Sequence, residues 1–252
     1  MTHPLRALVF DVDGTLADTE RFHLRAFNAA FAQEGLDWRW DEALYTRLLD
    51  ISGGKERLLH YWKQTRGHVL DVSGSGVRET IERIHATKTA FYEDMVATGA
   101  VDLRPGVLAL MEEARRQGLQ LAIATTTSPV NVAALLRRAI GVHWRLHFPV
   151  VCDASTAPRK KPDPMVYAQA LARLQLPAAA CIAFEDSENG LRSARAAGLQ
   201  TVITPTAFTA HHDFGGALRV LPTLEGVGLP DLSAWRAQSA PTLARAGAAT
   251  CP

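Results

Sequence analysis

Several short apolar segments of this chain end in carboxylates or hydroxyls. Asp11-Val12-Asp13-Gly14-Thr15 closes the first, Thr125-Thr126-Thr127-Ser128-Pro129 the second and Glu185-Asp186-Ser187 a later one; a loop supplies Lys160-Lys161-Pro162-Asp163-Pro164. Carboxylates gathered without matching cations repel one another, so the set implies a divalent cation, and an all-oxygen donor set suits Mg²⁺. Each piece also has a purely structural use. Asp13-Gly14-Thr15 makes a turn. Ser128-Pro129 is a helix N-cap followed by proline at the first helical position, and Asp163-Pro164 allows the same reading. A helix N-terminus attracts anions as well, so capping and anion binding are compatible.

The segments these residues terminate read as buried strands, at residues 5–10, 119–124, 148–151, 181–184 and 201–203. Helical patterns separate them, at 107–117, 131–140, 164–174 and 190–197. Such alternation produces a parallel sheet with right-handed crossovers, and ligands of open parallel sheets sit outside the carboxyl ends of the strands. The fold class is therefore α/β, a doubly wound parallel sheet. Between the first strand and the next unit, strand signals vanish. Residues 22–33 place Leu24, Phe27 and Phe31 on one helical face, and 77–96 is helical too. The predicted organisation is an α/β core from residues 1–17 plus 101–238, with a helical domain, 18–100, inserted after the first strand. A tail, 239–252, is rich in Ala, Thr and Pro without periodicity and is expected to fray.

Composition narrows the partners. The 252 residues carry 27 Lys+Arg against 26 Asp+Glu, a net charge of +1, with 47% apolar and 21% charged residues. Those values suit a soluble globular protein and exclude disordered and fibrous classes. A near-zero charge argues against a binder of nucleic acid that neutralises many phosphates. Cys152, Cys181 and Cys251 stand at no disulfide or metal spacing, so reduced thiols in a cytoplasm are expected. Neither a signal peptide nor an apolar run long enough for a membrane span is present. The expected partner is a small molecule rather than nucleic acid or membrane, and the expected state is a monomer.

Two features of the helical insertion stand out. Ile81, Ile84, Lys88, Phe91 and Met95 form the expected inward stripe, with His85 and Tyr92 beside the lysine. Lys88 either snorkels to solvent or presents a cation to a second phosphate. Ser52-Gly53-Gly54-Lys55-Glu56-Arg57 opens onto a helix start, where bare N–H groups and Lys55 could grip an anion, or form only a flexible turn. His211-His212-Asp213 reads as solvated, Arg115-Arg116 and Arg137-Arg138 as cations at helix C-terminal ends, and Trp38-Arg39-Trp40 as packing.

Asp11-Val12-Asp13-Gly14-Thr15-Leu16, Thr125, Lys161 and Glu185-Asp186 resemble, in order, the four motifs of the haloacid dehalogenase superfamily, over residues 5 to about 204. The insertion resembles the α-helical cap of the subfamily containing β-phosphoglucomutase and many sugar-phosphate phosphatases. That resemblance implies a haloacid-dehalogenase-like core with an inserted α-helical cap. It implies Asp11 as a nucleophile that becomes an aspartyl phosphate and Asp13 as general acid/base. Mg²⁺ would be held by Asp11, the Asp13 main-chain carbonyl and Asp186 with Glu185 in support. Thr125, the Thr126 N–H and Lys161 would hold phosphoryl oxygens. The presence of Asp13 points to transfer of phosphate from an alcohol to water.

Ala17-Asp18-Thr19-Glu20 with His23, the Gly53–Arg57 run, Ile84-His85, Lys88-Thr89 and Thr125-Thr126-Thr127-Ser128 further resemble the CbbY-type phosphatases of carbon-fixing bacteria, whose substrate is xylulose-1,5-bisphosphate. The implied substrate contacts are Glu20, His23, Gly53, Gly54, Lys55, His85, Lys88, Thr126 and Thr127. The loop 152–160 and the C-terminal extension depart from that pattern. A sugar phosphomutase with the same intermediate, and a non-catalytic phosphate-binding or phospho-receiver protein, are the alternatives.

Overall fold

The computed structural model describes residues 4–66, 75–99 and 101–239. Its sheet has six parallel strands: β1 (Ala7–Phe10), β2 (Gln120–Ala124), β3 (Val150–Cys152), β4 (Cys181–Glu185), β5 (Gln200–Ile203) and β6 (Arg219–Val220). They lie in the order β3-β2-β1-β4-β5-β6. After β1 the chain moves outward through β2 and β3, then returns to the other side of β1 to lay down β4. The reversal of strand order thus falls at β1, the place where open α/β sheets bind ligands.

Strand alternation gives the sheet two unlike faces. Leu8, Phe10, Leu121, Ile123, Ile182 and Phe184 point to one, where large side chains pack beneath α5 (Val107–Arg116), α6 (Pro129–Ile140) and α9 (Leu229–Ser239). Ala7, Val9, Ala122, Ala124, Cys181 and Ala183 point to the other, where α7 (Met165–Leu174) and α8 (Glu188–Ala196) press close against small side chains. Every residue of β1 and β4 is buried, as a parallel sheet covered on both faces requires. Ser128 caps α6 by accepting from the Asn131 N–H at 3.3 Å, and Pro129 is its first residue.

Between β1 and α5 the described residues form four helices: α1 (Glu20–Gln33), α2 (Glu42–Leu48), α3 (Gly54–Arg66) and α4 (Ser75–Thr98). They enclose a third apolar cluster built on Leu24, Phe27, Phe31, Trp38, Trp40, Tyr45, Leu58 and Ile84. The aromatic pair flanking Arg39 is packing, as expected. The stripe on α4 differs from expectation: Phe91 and Met95 are half-buried, and Tyr92 and Val96 continue the buried face from Lys88. The i, i+4 step from Lys88 leads to those two residues, and they join the cluster beneath the sheet.

Two elements carried no periodic signal. β6 is two residues long, and α9 has no clear amphipathic stripe although Leu229 and Leu232 are buried. Cys152 and Cys181 are free thiols buried in the small-residue layer. Ser239, the first residue of the expected tail, ends α9; the rest of that stretch, 240–252 with Cys251, lies outside the described residues, as do 67–74 and 100 of the insertion. Among the described residues no helix is long and apolar enough to cross a membrane.

Candidate active site

The carboxyl ends of β1, β2 and β4 bring the sequence-predicted acids, hydroxyls and lysine together. Asp11 directly follows β1, and its N–H extends the ladder to the Phe184 carbonyl at 3.0 Å. Lys161 reaches in from the loop before α7. Its Nζ donates to Asp11 Oδ1 and Glu185 Oε1, both at 2.6 Å, and to the Ala124 carbonyl at 2.9 Å. Tyr167 donates its hydroxyl to the same Glu185 oxygen at 2.5 Å, and Thr209 donates to Asp186 Oδ2 at 3.3 Å.

Asp11, Glu185 and Asp186 each place a carboxylate oxygen within 4.8 Å of the others, and all three are buried. Burial, followed by the nearby Glu185 and Asp13 charges, raises the Asp11 carboxyl to about 8 in spite of Lys161. Burial, Glu185 and Asp11 likewise raise Asp186 well above the ordinary carboxylate range. Burial opposes the Lys161 ammonium, yet Asp11 and Glu185 outweigh it and hold its pKa above the usual lysine value. Three carboxylates against one ammonium leave two negative charges, the charge that one hard divalent cation supplies. The residues present therefore fit such an ion. The Asp13 side chain is not part of this cluster, leaving only its main chain to join Asp11, Asp186 and Glu185.

Thr19 and His23 draw the Asp13 carboxylate away. Thr19 donates to Asp13 Oδ1 at 2.7 Å, and His23 Nε2 lies 3.0 Å from the same oxygen. Lys88 Nζ stands 2.7 Å from His23 Nδ1. The ammonium can only donate, so Nδ1 accepts and the ring proton sits on Nε2, facing Asp13. Burial opposes the Asp13 charge, but His23, Thr19 and Lys88 hold the carboxyl well below its usual range. His23 stacks on Tyr92 with ring centroids 4.1 Å apart. Burial lowers Lys88 to about 8 although Asp13 and Glu20 counteract it. At 4% exposure Lys88 does not snorkel to solvent.

All the remaining predicted contacts line the same cavity, of about 370 Å³, between the sheet and the helical layer. Thr125 is buried with its Oγ1 accepting from the Thr127 N–H at 3.3 Å, while Thr126 and Thr127 are half-buried on the turn. Glu20, the first residue of α1, accepts from the Tyr45 hydroxyl at 2.7 Å. Gly53 has φ +97°, and a Cβ on Gly54 would lie 2.7 Å from His85 Nε2, so the glycine pair lets α3 begin against that ring. Burial, then Lys88 and Lys55, lower His85 to about 3. Lys55 is exposed and pairs with Glu82.

Sequence reasoning missed Tyr167, Thr209, Tyr45 and Arg57 as parts of this site. Tyr167 reads as one more apolar residue on the buried stripe of α7, and no spacing rule joins Thr209 or Tyr45 to the motifs. Arg57, within the quoted glycine run, is buried and donates to the carbonyls of Leu48 at 2.9 Å and Ile51 at 3.3 Å and to the Tyr45 hydroxyl at 3.2 Å. His212 is half-buried rather than solvated: its Nδ1 accepts the Glu188 N–H at 3.2 Å, and its Nε2 faces Asp50 of the helical layer at 3.4 Å.

Residues 5–198 match the haloacid dehalogenase-like hydrolase family. Over 220 residues, 87% of this chain and 86% of the relative, the sequence is 56% identical to the plasmid-borne protein CbbY of Cupriavidus necator. It is 45% identical to CbbY of Rhodobacter capsulatus over 240 residues, 95% of this chain and 99% of the relative. A mutant CbbY from Rhodobacter sphaeroides, crystallised with xylulose-(1,5)bisphosphate, superposes with a TM-score of 0.83 at 42% identity, covering 90% of this chain and 99% of that one.

Proposed function

The chain belongs to the haloacid dehalogenase-like hydrolases, on their CbbY branch, and from that premise we propose that it is a Mg²⁺-dependent phosphatase removing a phosphate from xylulose-1,5-bisphosphate. The observation that carries this reading is the paired arrangement of two aspartates two residues apart. Asp11 is seated on Lys161 beside the other buried acids, while Asp13 is turned toward the helical layer on Thr19 and His23.

Asp11, the Asp13 carbonyl and Asp186 would hold the cation, with Glu185 behind them, oriented by Lys161 and Tyr167. When bound, Mg²⁺ supplies charge neutralisation that lets an anionic carboxylate approach an anionic phosphate. That charge would let Asp11, whose carboxyl burial otherwise raises to about 8, react in its ionised form. Thr125 and the Thr126 N–H hold the phosphoryl oxygens, and Lys161, whose three N–H groups go to Asp11, Glu185 and the Ala124 carbonyl, offsets their charge. An Asp11 oxygen bonds to phosphorus as the bond to the sugar oxygen breaks, and Asp13 passes a proton to that oxygen. Asp13 then takes a proton from the water that attacks phosphorus, releasing inorganic phosphate and restoring Asp11. Since Thr19 and His23 stabilise the ionised form of Asp13, the conformation described favours the second, base-catalysed half. Charging Asp13 with a proton for the first half requires those contacts to loosen.

Incubation with Mg²⁺ and xylulose-1,5-bisphosphate should release inorganic phosphate, and Asp11→Asn should abolish release while keeping the fold. Chelation of the metal should have the same effect on rate. Interconversion of sugar-phosphate isomers at constant organic phosphate would instead identify a mutase, and turnover by the Asp11→Asn variant would overturn the covalent mechanism.

A further inference from the structure

We infer that Lys160, on the core loop between β3 and α7, grips the substrate phosphate farther from Asp11 together with His85 of the helical layer, so that the bisphosphate itself ties the two layers together. The inference deepens the proposed function and rests on it.

Among the described residues five Lys and Arg side chains line the cavity, and four are already committed. Lys161 is used by Asp11, Glu185 and the Ala124 carbonyl. Arg57 is used by two carbonyls and the Tyr45 hydroxyl. Lys88 donates to His23 and lies between the rings of Phe27 and Tyr92, about 5 Å from each centroid. Lys55 is paired with Glu82. Lys160 is half-buried and keeps a single long hydrogen bond, 3.4 Å, to the Ala154 carbonyl. A lysine amine that has lost part of its water without a close partner is poised to gain from an anion. Its acidic neighbours do not fill that role. Asp153 already accepts from the N–H and hydroxyl of Ser155, and Glu56 is exposed.

His85 is the second uncommitted group. Its ring makes no hydrogen bond among the described residues, and it stands in the field of Lys88, Lys55 and Lys160. The surroundings of the two adjacent lysines also differ. Lys161 contacts Asp11 directly, whereas Lys160, lining the same cavity, has its hydrogen bond to the Ala154 carbonyl and no ion pair with Asp11, Glu185 or Asp186 among the described residues. Lys160 thus serves a different part of the cavity from the reacting centre. A phosphate held between a core lysine and a histidine of α4 converts remote binding energy into closure of the helical layer over the reacting group. A simple monoester offers no such tether.

The test compares xylulose-1,5-bisphosphate with p-nitrophenyl phosphate, using kcat and KM for wild type, Lys160→Ala and Lys160→Arg. The ratio of kcat/KM for the two substrates is independent of the fraction of folded enzyme. It should fall about 10- to 100-fold in Lys160→Ala, the loss of one charge-assisted hydrogen bond, and recover in large part in Lys160→Arg. A wild type that prefers the bisphosphate and a Lys160→Ala variant that keeps the full preference would overturn the inference and leave the proposed function standing. Equal losses on both substrates would also overturn it. A wild type with no preference for the bisphosphate would overturn the proposed function on which it rests.

Discussion

Replacing Lys161 with methionine removes the one ammonium that touches both Asp11 and Glu185 while keeping most of the side chain's volume. In the native arrangement those contacts are 2.6 Å each and Lys161 is 5% exposed, so the carboxylates left behind have no water to turn to. Breaking a buried ion pair from one side costs about 3–5 kcal/mol. For a domain of this size that lowers the unfolding midpoint by roughly 6–20 °C. The loss is coupled to pH with a defined sign. Asp11 already titrates near 8 in the fold, far above an unfolded aspartate, and removal of Lys161 raises it further. Both forms keep Asp11 protonated below about 8, so the variant's deficit against wild type is steady up to about pH 7 and widens by about pH 9, where only wild type ionises the group. Saturating Mg²⁺ should restore part of the stability, because the ion replaces the missing positive charge. Urea unfolding at the two pH values, with and without Mg²⁺, measures all three effects, and kcat should fall by about 10²–10³. A loss below about 1 kcal/mol that is the same at both pH values would refute the account of Lys161 as the counter-charge of this centre.

Two further substitutions probe the helical layer. Tyr45→Phe removes the hydroxyl that donates to Glu20 and accepts from Arg57, leaving a buried carboxylate oxygen unpaired. It should cost about 1–3 kcal/mol in urea unfolding, and a change below about 0.5 kcal/mol would show that water takes over the contact. His85 is held neutral in the fold at about 3 against 6.5 when free. Its stabilisation is present above 6.5 and lost as pH falls toward 3, at up to about 1.4 kcal/mol per pH unit. His85→Gln cannot titrate, so the difference in stability between variant and wild type should change across that window; parallel pH profiles would contradict the assignment.

The candidate catalytic carboxylates were legible because each stands at the end of a short apolar run bounded by turn residues, the pattern of a buried strand. Asp11, Thr125 and Asp186 converge for a reason of topology alone: parallel strands deliver all their carboxyl ends to one edge. Lys161 was legible by its place among turn residues and by resemblance, not by periodicity. Lys88 showed itself as a charge in an apolar stripe, and only the fold replaced solvent with His23 as its partner. Tyr167, Thr209 and Arg57 left no comparable mark, since each bonds to a group far away in sequence and looks locally like packing, loop or surface charge. The helix at Leu229–Ser239 escaped because two buried leucines make too weak a pattern for a period to emerge.

By itself, then, the order of residues determined the parallel sheet, the interruption after the first strand and the identity of the acids at the strand ends, since hydrophobic period and chain connectivity are local properties. The tertiary structure decided how the charges are shared. It seated Lys161 between Asp11 and Glu185, turned Asp13 toward Thr19 and His23, committed Lys88 to the histidine and left Lys160 with one long hydrogen bond. Those choices depend on burial and on partners up to 150 positions apart. Electrostatic interaction falls with distance through space and with the dielectric between the charges, and neither quantity is written along the chain.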